Sequence, residues 1–383
     1  MNEGRAYLDY NATAPMRPAV VEAVVQALSL AGNPSSVHAE GRAARSAVET
    51  ARRQVAALVG ASPEAVVFTS GGTEAANAVL AGRLRRQDGT SPSRLLVCAA
   101  EHVCVLEGHR FAVVERIPVG GDGLLDLEWL ARDLAANGPA LVCVHAANNE
   151  TGVVQPLAEA ARIAREAGGL FVTDAVQAAG RVPLDGAVPG ADALIVSAHK
   201  LGGPKGAGAI VLGPGVALGA LVAGGGQERG RRGGTENVPG LVGFGAAAEA
   251  ARAALPGEAA RLASLRDRLE TELRRIAPEA VIFGAGAPRL PNTTAFAIPG
   301  LRAETALIAF DLAGVALSSG SACSSGKVRR SHVLAAMGVM PALAEGALRV
   351  SLGWGTTEND VLRFAEACET AVAPLYKRKA AAA

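Results

Sequence analysis

The chain has 383 residues, of which 50% are hydrophobic and 19% are charged, and its formal net charge at pH 7 is +1. This composition is typical of a globular protein, and the near-neutral charge argues against nucleic-acid and anionic-membrane partners. One compact core seldom covers this length, so we expect two domains.

The cysteines and the N-terminus bear on metal binding and location. The five cysteines show neither CxxC nor zinc-finger spacing, which predicts no metal site and a reducing compartment. The opening "MNEGRAYLDYNATAP" has no basic segment followed by an apolar core, so we expect no signal peptide. The uncharged stretch 206–227 is rich in glycine and favours strand, turn and loop over a membrane span. We therefore expect a cytoplasmic protein that does not enter a membrane.

Seven short apolar runs follow one another through the first two-thirds of the chain. Several are continuously apolar, as strands buried on both faces should be, and amphipathic segments such as 45–60 and 156–169 separate some of them. This order predicts an α/β fold whose mostly parallel seven-stranded sheet carries helices on both faces, with the chemistry at the carboxyl ends of the strands. The predicted strands are 65–70, 94–100, 111–117, 140–146, 170–175, 192–198 and 208–213.

The last third has a different pattern, which predicts a smaller α+β domain. Long helices are expected at about 238–253 and 257–276, and a shorter one near 302–312. We place a large domain at 12–255 and a small domain at 1–11 with 256–383. The strands expected in the small domain are 280–286, 292–300, 315–320 and 347–353.

Lys200 follows a predicted strand in "VSAHKLGGPKG". A lysine that projects from the end of a strand can form a Schiff base with a carbonyl cofactor. Taken alone, a surface lysine that ends a strand is the simpler interpretation, and Lys205 is a nearby competitor for the role.

Asp174 ends a buried run in "LFVTDAVQAAG", and Gln177 follows three residues later. A carboxylate in an apolar setting needs a cation or several donors to offset its desolvation. The protonated ring nitrogen of pyridoxal phosphate would be such a cation. A helix N-cap is the structural alternative.

Other polar groups also follow predicted strands. "FTSGGTEAANAVL" places glycines and a threonine before a helix, which is suited to an anion although such turns are common. His102 and the "NNE" of 148–150 come after two further strands, where structural roles are equally open. The loop 224–240 carries three arginines among its glycines, and a phosphate-facing or subunit-facing loop fits it better than a linker or a nucleic-acid patch.

Taken together, these motifs resemble those of the NifS/IscS-type cysteine desulfurases, which have the class V aminotransferase-like fold of pyridoxal-phosphate enzymes (fold type I, like aspartate aminotransferase). The resemblance covers nearly the whole chain. It implies a homodimer with active sites near the subunit interface. The motifs that carry it include "YLDYNATAP", "GNPSSVHAEGRAAR", "FTSGGTEAAN", "AEHVCVL", "NNETGVVQP", "TDAVQAAG", "SAHKLGGPKG", "GGGQERGRRGGTENV" and "SSGSACSSG".

The resemblance assigns roles to individual residues. Lys200 would be the Schiff-base lysine, Asp174 would pair the pyridine nitrogen and Gln177 would bind the phenolic oxygen. His102 would stack on the ring and take part in catalysis. The phosphate would be held by Gly72, Thr73, Ser197 and His199, with Thr235 from the partner subunit. The substrate carboxylate would be bound by Asn149, also a cofactor contact, and by Arg349, with help from Asn33.

Cys323 acquires a role from the same resemblance. As a thiolate it would take sulfur from L-cysteine as a persulfide while alanine leaves. The loop 318–332 around it is rich in glycine and serine, which would permit the travel that collecting and delivering sulfur requires. The neighbouring Lys327, Arg329 and Arg330 would lower the thiol pKa or dock an acceptor, or they are simply solvated charges.

Some alternatives remain open at this point. Gln227 stands where many relatives carry histidine, so we assign it no catalytic role. The acceptor could be an iron–sulfur scaffold protein, or could serve nitrogenase maturation or tRNA thiolation. A selenocysteine lyase or another class V enzyme is the second candidate. A sulfur-carrier or scaffold-binding protein with a vestigial cofactor site is the non-enzyme alternative.

Overall fold

The computed structural model describes residues 4–184, 190–320 and 330–375. Its strands in these ranges are β1 (Ala6–Tyr7), β2 (Val66–Thr69), β3 (Leu84–Arg86), β4 (Arg94–Cys98), β5 (Val113–Ile117), β6 (Leu141–Cys143), β7 (Leu170–Asp174), β8 (Ala193–Ser197), β9 (Gly208–Leu212), β10 (Val216–Leu218), β11 (Val281–Ile282), β12 (Thr293–Ala297), β13 (Val315–Ala316), β14 (Ser318–Ser319) and β15 (Leu348–Ser351). Its α-helices are α1 (Pro18–Leu28), α2 (Ala39–Leu58), α3 (Gly72–Ala78), α4 (Val103–Leu106), α5 (Leu127–Asn137), α6 (Leu157–Glu166), α7 (Val238–Ile276), α8 (Ala303–Leu312), α9 (His332–Ala336), α10 (Pro341–Ala344) and α11 (Glu358–Ala367). Across the described ranges, none of the helices combines the length and the apolar character that crossing a membrane requires.

The seven predicted strands of the first two-thirds pair into one sheet. Their order is β2-β9-β8-β7-β6-β4-β5. From β5 to β8 all neighbours are parallel, whereas β9 runs antiparallel to both β8 and β2. The predicted α/β fold with a mostly parallel sheet is therefore confirmed.

The sheet is buried on both faces, which explains why its strands are continuously apolar. Alternate residues such as Phe68, Leu96 and Phe171 point into a core shared with the apolar sides of α2, α5, α6 and the first half of α7. The residues between them, such as Leu95 and Val172, pack with α3 on the other face. Period-2 alternation of side-chain direction thus fills two cores from the same strands.

A second, smaller sheet has its own core. Strands β11, β12, β15 and β14 pair antiparallel in that order. The core beneath them includes Leu8, Phe296, Phe310 and Phe364, and the two phenylalanines of α8 and α11 stack at 5.4 Å. Strand β1 of the N-terminus pairs with β13. The division at residue 255 stays a prediction.

Helix α7 differs from what the sequence predicts. We expect two helices separated near Pro256, whereas one helix of 39 residues runs through the proline. Pro256 cannot donate a hydrogen bond within the helix, but its side chain is exposed. The two halves are held independently, because Phe244 packs in the large core and Leu269 in the small one. Packing therefore overrides the local break.

Candidate active site

A cavity of about 340 Å³ opens beyond the carboxyl ends of the parallel strands. Strands β7 and β8 deliver polar groups directly to it, because β7 ends at Asp174 and β8 at Ser197. Gly208 at the start of β9 supports the turn before α3, since a Cβ there would lie only 2.7 Å from the Gly71 Cα. The lining residues are Asn11, Ala12, Gly72, Thr73, His102, Cys104, His145, Ala147, Asn149, Asp174, Val176, Gln177, Ser197, His199, Lys200 and Arg349.

Most of the predicted site residues meet in this cavity. Thr235 and Asn33 do not line it, and Cys323 lies outside the described residues. The individual roles remain predictions. The predicted residues that do line the cavity are Gly72, Thr73, His102, Asn149, Asp174, Gln177, Ser197, His199, Lys200 and Arg349.

Lys200 reaches the cavity from a 3-10 turn, Ala198–Lys200, that follows β8 at once. Its Nζ donates to the carbonyl oxygens of Asn11 and Ala12, the second at 2.8 Å. Burial lowers the pKa of Lys200 to about 7, and the positive charges of Arg349 and Arg181 act in the same direction. A substantial neutral fraction at neutral pH makes this amine a nucleophile.

Asp174 is a buried carboxyl group at the end of β7. Its Oδ1 accepts a hydrogen bond from the Val176 amide at 2.9 Å, and no lysine, arginine or histidine of the described residues forms an ion pair with it. Burial, followed by the negative charge of Glu101, raises the pKa of Asp174 to about 7. A protonated nitrogen placed in the cavity would compensate this charge.

Gly72 and Thr73 begin α3 at the edge of the cavity. A Cβ at Gly72 would lie 3.1 Å from Val176 Cγ2 and 3.7 Å from Ser197 Cβ. The glycine therefore keeps space open between the helix and the end of β8, next to backbone amides that suit an anion.

His102 is fixed by the start of α4. Its Nδ1 accepts from the Cys104 amide at 3.2 Å, and Cys104 Sγ lies 3.0 Å from the same nitrogen. An Nδ1 that accepts leaves the ring proton on Nε2. Burial and the nearby Lys200 lower the pKa of His102, so its neutral form is favoured.

Arg349 is nearly fully buried on β15, with 1% of its surface exposed. One guanidinium nitrogen, Nη1, donates to the Asn149 carbonyl at 2.9 Å, and Nη2 donates to Asp9 Oδ1 at 2.8 Å. Its Nε has no hydrogen-bond partner within residues 4–184, 190–320 and 330–375. A substrate carboxylate would therefore have to share this guanidinium with Asp9.

Gln177 and His199 are held by neighbours from the N-terminal segment. Gln177 Nε2 donates to the Asn11 carbonyl at 3.0 Å, and the His199 Nδ1 lies 3.1 Å from Thr13 Oγ1. Burial, with the charge of Lys200 next, lowers the pKa of His199 to about 4, so the ring is neutral.

Thr235 and Asn33 lie outside the lining of this cavity. Thr235 borders a separate cavity of about 270 Å³, whose Arg232 pairs with Glu74 of α3 at 3.0 Å. Asn33 is exposed and its side chain accepts from the Ser35 amide at 2.9 Å. The assignment of Thr235 to a partner's site therefore stays a prediction, as does the role of Asn33.

Sequence reasoning missed several residues of the cavity, and also Asp9, which lies outside the lining but contacts Arg349. Asp9 and Asn11 lie in the quoted "YLDYNATAP", but nothing in that segment indicates that it reaches Lys200 and Arg349. Cys104 lies two residues after His102, and this spacing could have indicated that both side chains reach the cavity. Its thiol stays protonated, because burial raises the pKa of Cys104 to about 12.

Comparison with known proteins places the chain in a family. The family model described as Aminotransferase class-V matches residues 6–364, and the chain belongs to this family. It is 43% identical over 372 residues to a cysteine desulfurase of Cereibacter sphaeroides, covering 94% of each chain.

Solved structures of similar proteins support the same family. A NifS-like protein from Rickettsia africae superposes with a TM-score of 0.87 at 34% identity, covering 95% of this chain and 98% of that one. The structure entitled "SspA in complex with cysteine" gives a TM-score of 0.75 at 29% identity, covering 91% and 98%. The resemblance to cysteine desulfurases predicted from the motifs is thus confirmed.

Proposed function

We propose that this protein is a cysteine desulfurase, which uses pyridoxal phosphate to remove sulfur from L-cysteine and leaves L-alanine. The observation that carries the proposal is the presence of Lys200 and Asp174 in the lining of one cavity, as an amine and a carboxyl whose pKa values are both about 7. The names of the relatives support the same reaction.

The residues present fit pyridoxal phosphate. Asp174 lacks a cation, which the ring nitrogen would supply, and Lys200 is the amine that would carry the cofactor. Space and amides at Gly72 and Thr73 suit its phosphate. When bound, the cofactor supplies an electron sink that stabilises negative charge at the substrate's α-carbon.

Arg349 and Asn149, which also line the cavity, would bind the substrate. The Arg349 guanidinium matches a carboxylate, and the residue lines the cavity. Lys200 would then accept the α-proton, which its nearly neutral pKa permits. His102, neutral with its proton on Nε2, is a donor at the cavity mouth.

Cys323 would receive the sulfur. Its thiolate attacks the substrate sulfur and forms the S–S bond of a persulfide, while the C–S bond breaks. The electron pair of that bond stays on carbon, which takes up a proton, and the product is alanine. The thiolate is required because a thiol is a poor nucleophile.

The remaining parts of the proposal concern partners and place. The protein acts in the cytoplasm as a homodimer in which Thr235 of one subunit completes the phosphate site of the other. An iron–sulfur scaffold or another sulfur-acceptor protein takes the persulfide sulfur onward.

The test is incubation of the loaded protein with L-cysteine while alanine and sulfide are measured together. We expect Cys323→Ala to keep the yellow cofactor colour and to lose sulfide release, because only the attacking sulfur is removed. Cys368→Ala is the matched control, since Cys368 is buried in the small core, and it should retain turnover. Unchanged turnover in Cys323→Ala would contradict the desulfurase proposal and favour a selenocysteine lyase or another class V enzyme.

A second measurement addresses a vestigial cofactor site. Borohydride reduction of the loaded protein should attach the cofactor to the peptide that contains Lys200, as read by mass spectrometry. A colourless protein with no such adduct would exclude pyridoxal-phosphate chemistry altogether.

A further inference from the structure

Glu150 is a buried carboxyl next to the cavity residue Asn149, and the proposed reaction does not use it. It follows Asn149 directly and has 3% of its surface exposed. Its backbone amide donates to Asn148 Oδ1 at 2.9 Å, which fixes the turn that carries it. Burying a carboxyl costs free energy unless its oxygens are satisfied, so its contacts indicate what it holds in place.

One contact joins Glu150 to Ser331. The Ser331 hydroxyl donates to Glu150 Oε2 at 2.5 Å, and the same oxygen of Ser331 accepts from the Leu334 amide at 3.0 Å. Ser331 is the N-cap of α9. The carboxyl is thereby tied to the start of this helix, immediately after residues 321–329.

Gly320, the described residue just before 321–329, lies near the same carboxyl. Gly320 donates its amide to the Ala347 carbonyl at 3.0 Å. A Cβ built at Gly320 would lie 3.5 Å from Glu150 Oε2 and 3.1 Å from Ala347 Cβ. The backbone before residues 321–329 therefore passes beside Glu150, just as the backbone after them does.

The surroundings connect this junction to the substrate site. Ser318 of β14 pairs with Arg349 of β15, and His332 Nε2 lies 2.7 Å from the Glu101 carbonyl, next to His102. Burial raises the pKa of Glu150 to about 7, against the Ser331 hydrogen bond and the positive charge of Arg349.

We propose that Glu150 is a positioning residue, which holds Ser331 at the start of α9 and lies beside Gly320, so that the described residues on both sides of the segment 321–329 are arranged around one carboxyl. The proposal rests on the proposed function in that Cys323 lies in this segment. Glu150 acts through Ser331 and not on the substrate or cofactor; it holds the residue that follows the segment carrying the nucleophile.

The experiment uses the full chain with Glu150→Ala, Ser331→Ala and the double variant. Glu270→Gln is the matched control, because Glu270 is an equally buried carboxyl that pairs with Arg289 in the small domain. The rate at which iodoacetamide alkylates Cys323 is measured by peptide mass spectrometry, with and without pyridoxal phosphate. Sulfide release, L-alanine binding from the visible spectrum, and thermal unfolding are measured on the same samples.

Three results are expected if Glu150 acts through Ser331. Alkylation of Cys323 rises in Glu150→Ala, because Ser331 is no longer tied to the carboxyl. kcat for sulfide release falls about tenfold or more, the effect of losing one hydrogen bond to a carboxyl, while KM and L-alanine binding stay within about twofold. The double variant matches the stronger single variant instead of adding both effects. Glu270→Gln leaves alkylation unchanged.

Unchanged alkylation in Glu150→Ala, or strictly additive effects of the two substitutions, would overturn the proposal. Parallel loss of cofactor binding and folding stability without a change in Cys323 reactivity would equally do so. The alkylation measurement needs no turnover, so it judges Glu150 even where Cys323→Ala had shown that the proposed function is wrong.

Discussion

Lys200 and Asp174 owe their displaced pKa values to the same physical cause. Burial favours the neutral form of each group, which lowers the pKa of the lysine and raises that of the aspartate until both are about 7. Strongly perturbed groups that share a cavity are typical of catalytic sites. Here an amine that can lose a proton and a buried carboxyl line the same cavity.

Substitution of Asp174 should change the pH dependence of stability. Its pKa is raised from 3.8 to about 7, so between these values the folded state holds more protons than the unfolded state. Stability therefore falls as pH rises through this interval. Asp174→Asn removes the carboxyl and with it this loss of stability. The cofactor-free variant should therefore unfold at a higher temperature than the unsubstituted protein at pH 8, and the difference should be smaller at pH 5. Scanning calorimetry across this pH range measures it.

The same variant should bind pyridoxal phosphate more weakly, because an amide cannot compensate the protonated ring nitrogen. A fluorescence titration supplies this control. A stability difference that is the same at both pH values would show that the Asp174 carboxyl does not titrate as we describe.

The positions of the strands were easier to predict than the pairing between them. All seven apolar runs of the first two-thirds became strands of one sheet, because two-sided burial leaves a direct mark on the sequence. The run 315–320, however, is divided: β13 pairs with β1, and β14 pairs with β15. Both partners are distant in sequence, so no local pattern could indicate the division.

Helix α7 allows a test of how packing overrides a local break. An internal proline costs a helix roughly 3 kcal/mol, partly offset by its restriction of the unfolded chain. We therefore expect Pro256→Ala to raise the free energy of unfolding by about 1–2 kcal/mol, as measured by urea denaturation.

Pro239 is the matched control within the same helix. It lies in the first turn of α7, where the missing amide has no helical acceptor. Pro239→Ala should leave stability unchanged or slightly lower. Equal gains at both positions would mean that the proline in the middle of α7 carries no special cost.

At the scale of the whole molecule, the site joins segments from both ends of the chain and its middle. Asp9 and Asn11 come from the N-terminus, Lys200 from the large sheet and Arg349 from the small one. A ligand bound among them would contact residues from distant segments of the chain, which only the folded state brings together. It should therefore stabilise the protein as a whole.

Pyridoxal phosphate should raise the unfolding temperature accordingly. At a concentration one hundred times its Kd, the expected gain is about 2.7 kcal/mol. Differential scanning fluorimetry with increasing cofactor measures the shift, and Lys200→Ala should show a smaller one because the amine that would carry the cofactor is lost. An equal shift in both proteins would argue that Lys200 does not hold it.

The sequence by itself determined the sheet, the family and most of the residues that line the cavity, because burial, glycine turns and polar groups at strand ends are local properties. It pointed to Lys200 and Asp174 as candidates from their place at strand ends, and the resemblance then assigned their roles. Only the tertiary structure shows which residues form hydrogen bonds with each other: Arg349 with Asp9, Lys200 with Asn11 and Ser331 with Glu150. Those contacts join residues far apart in the chain, and only folding brings them within hydrogen-bonding distance.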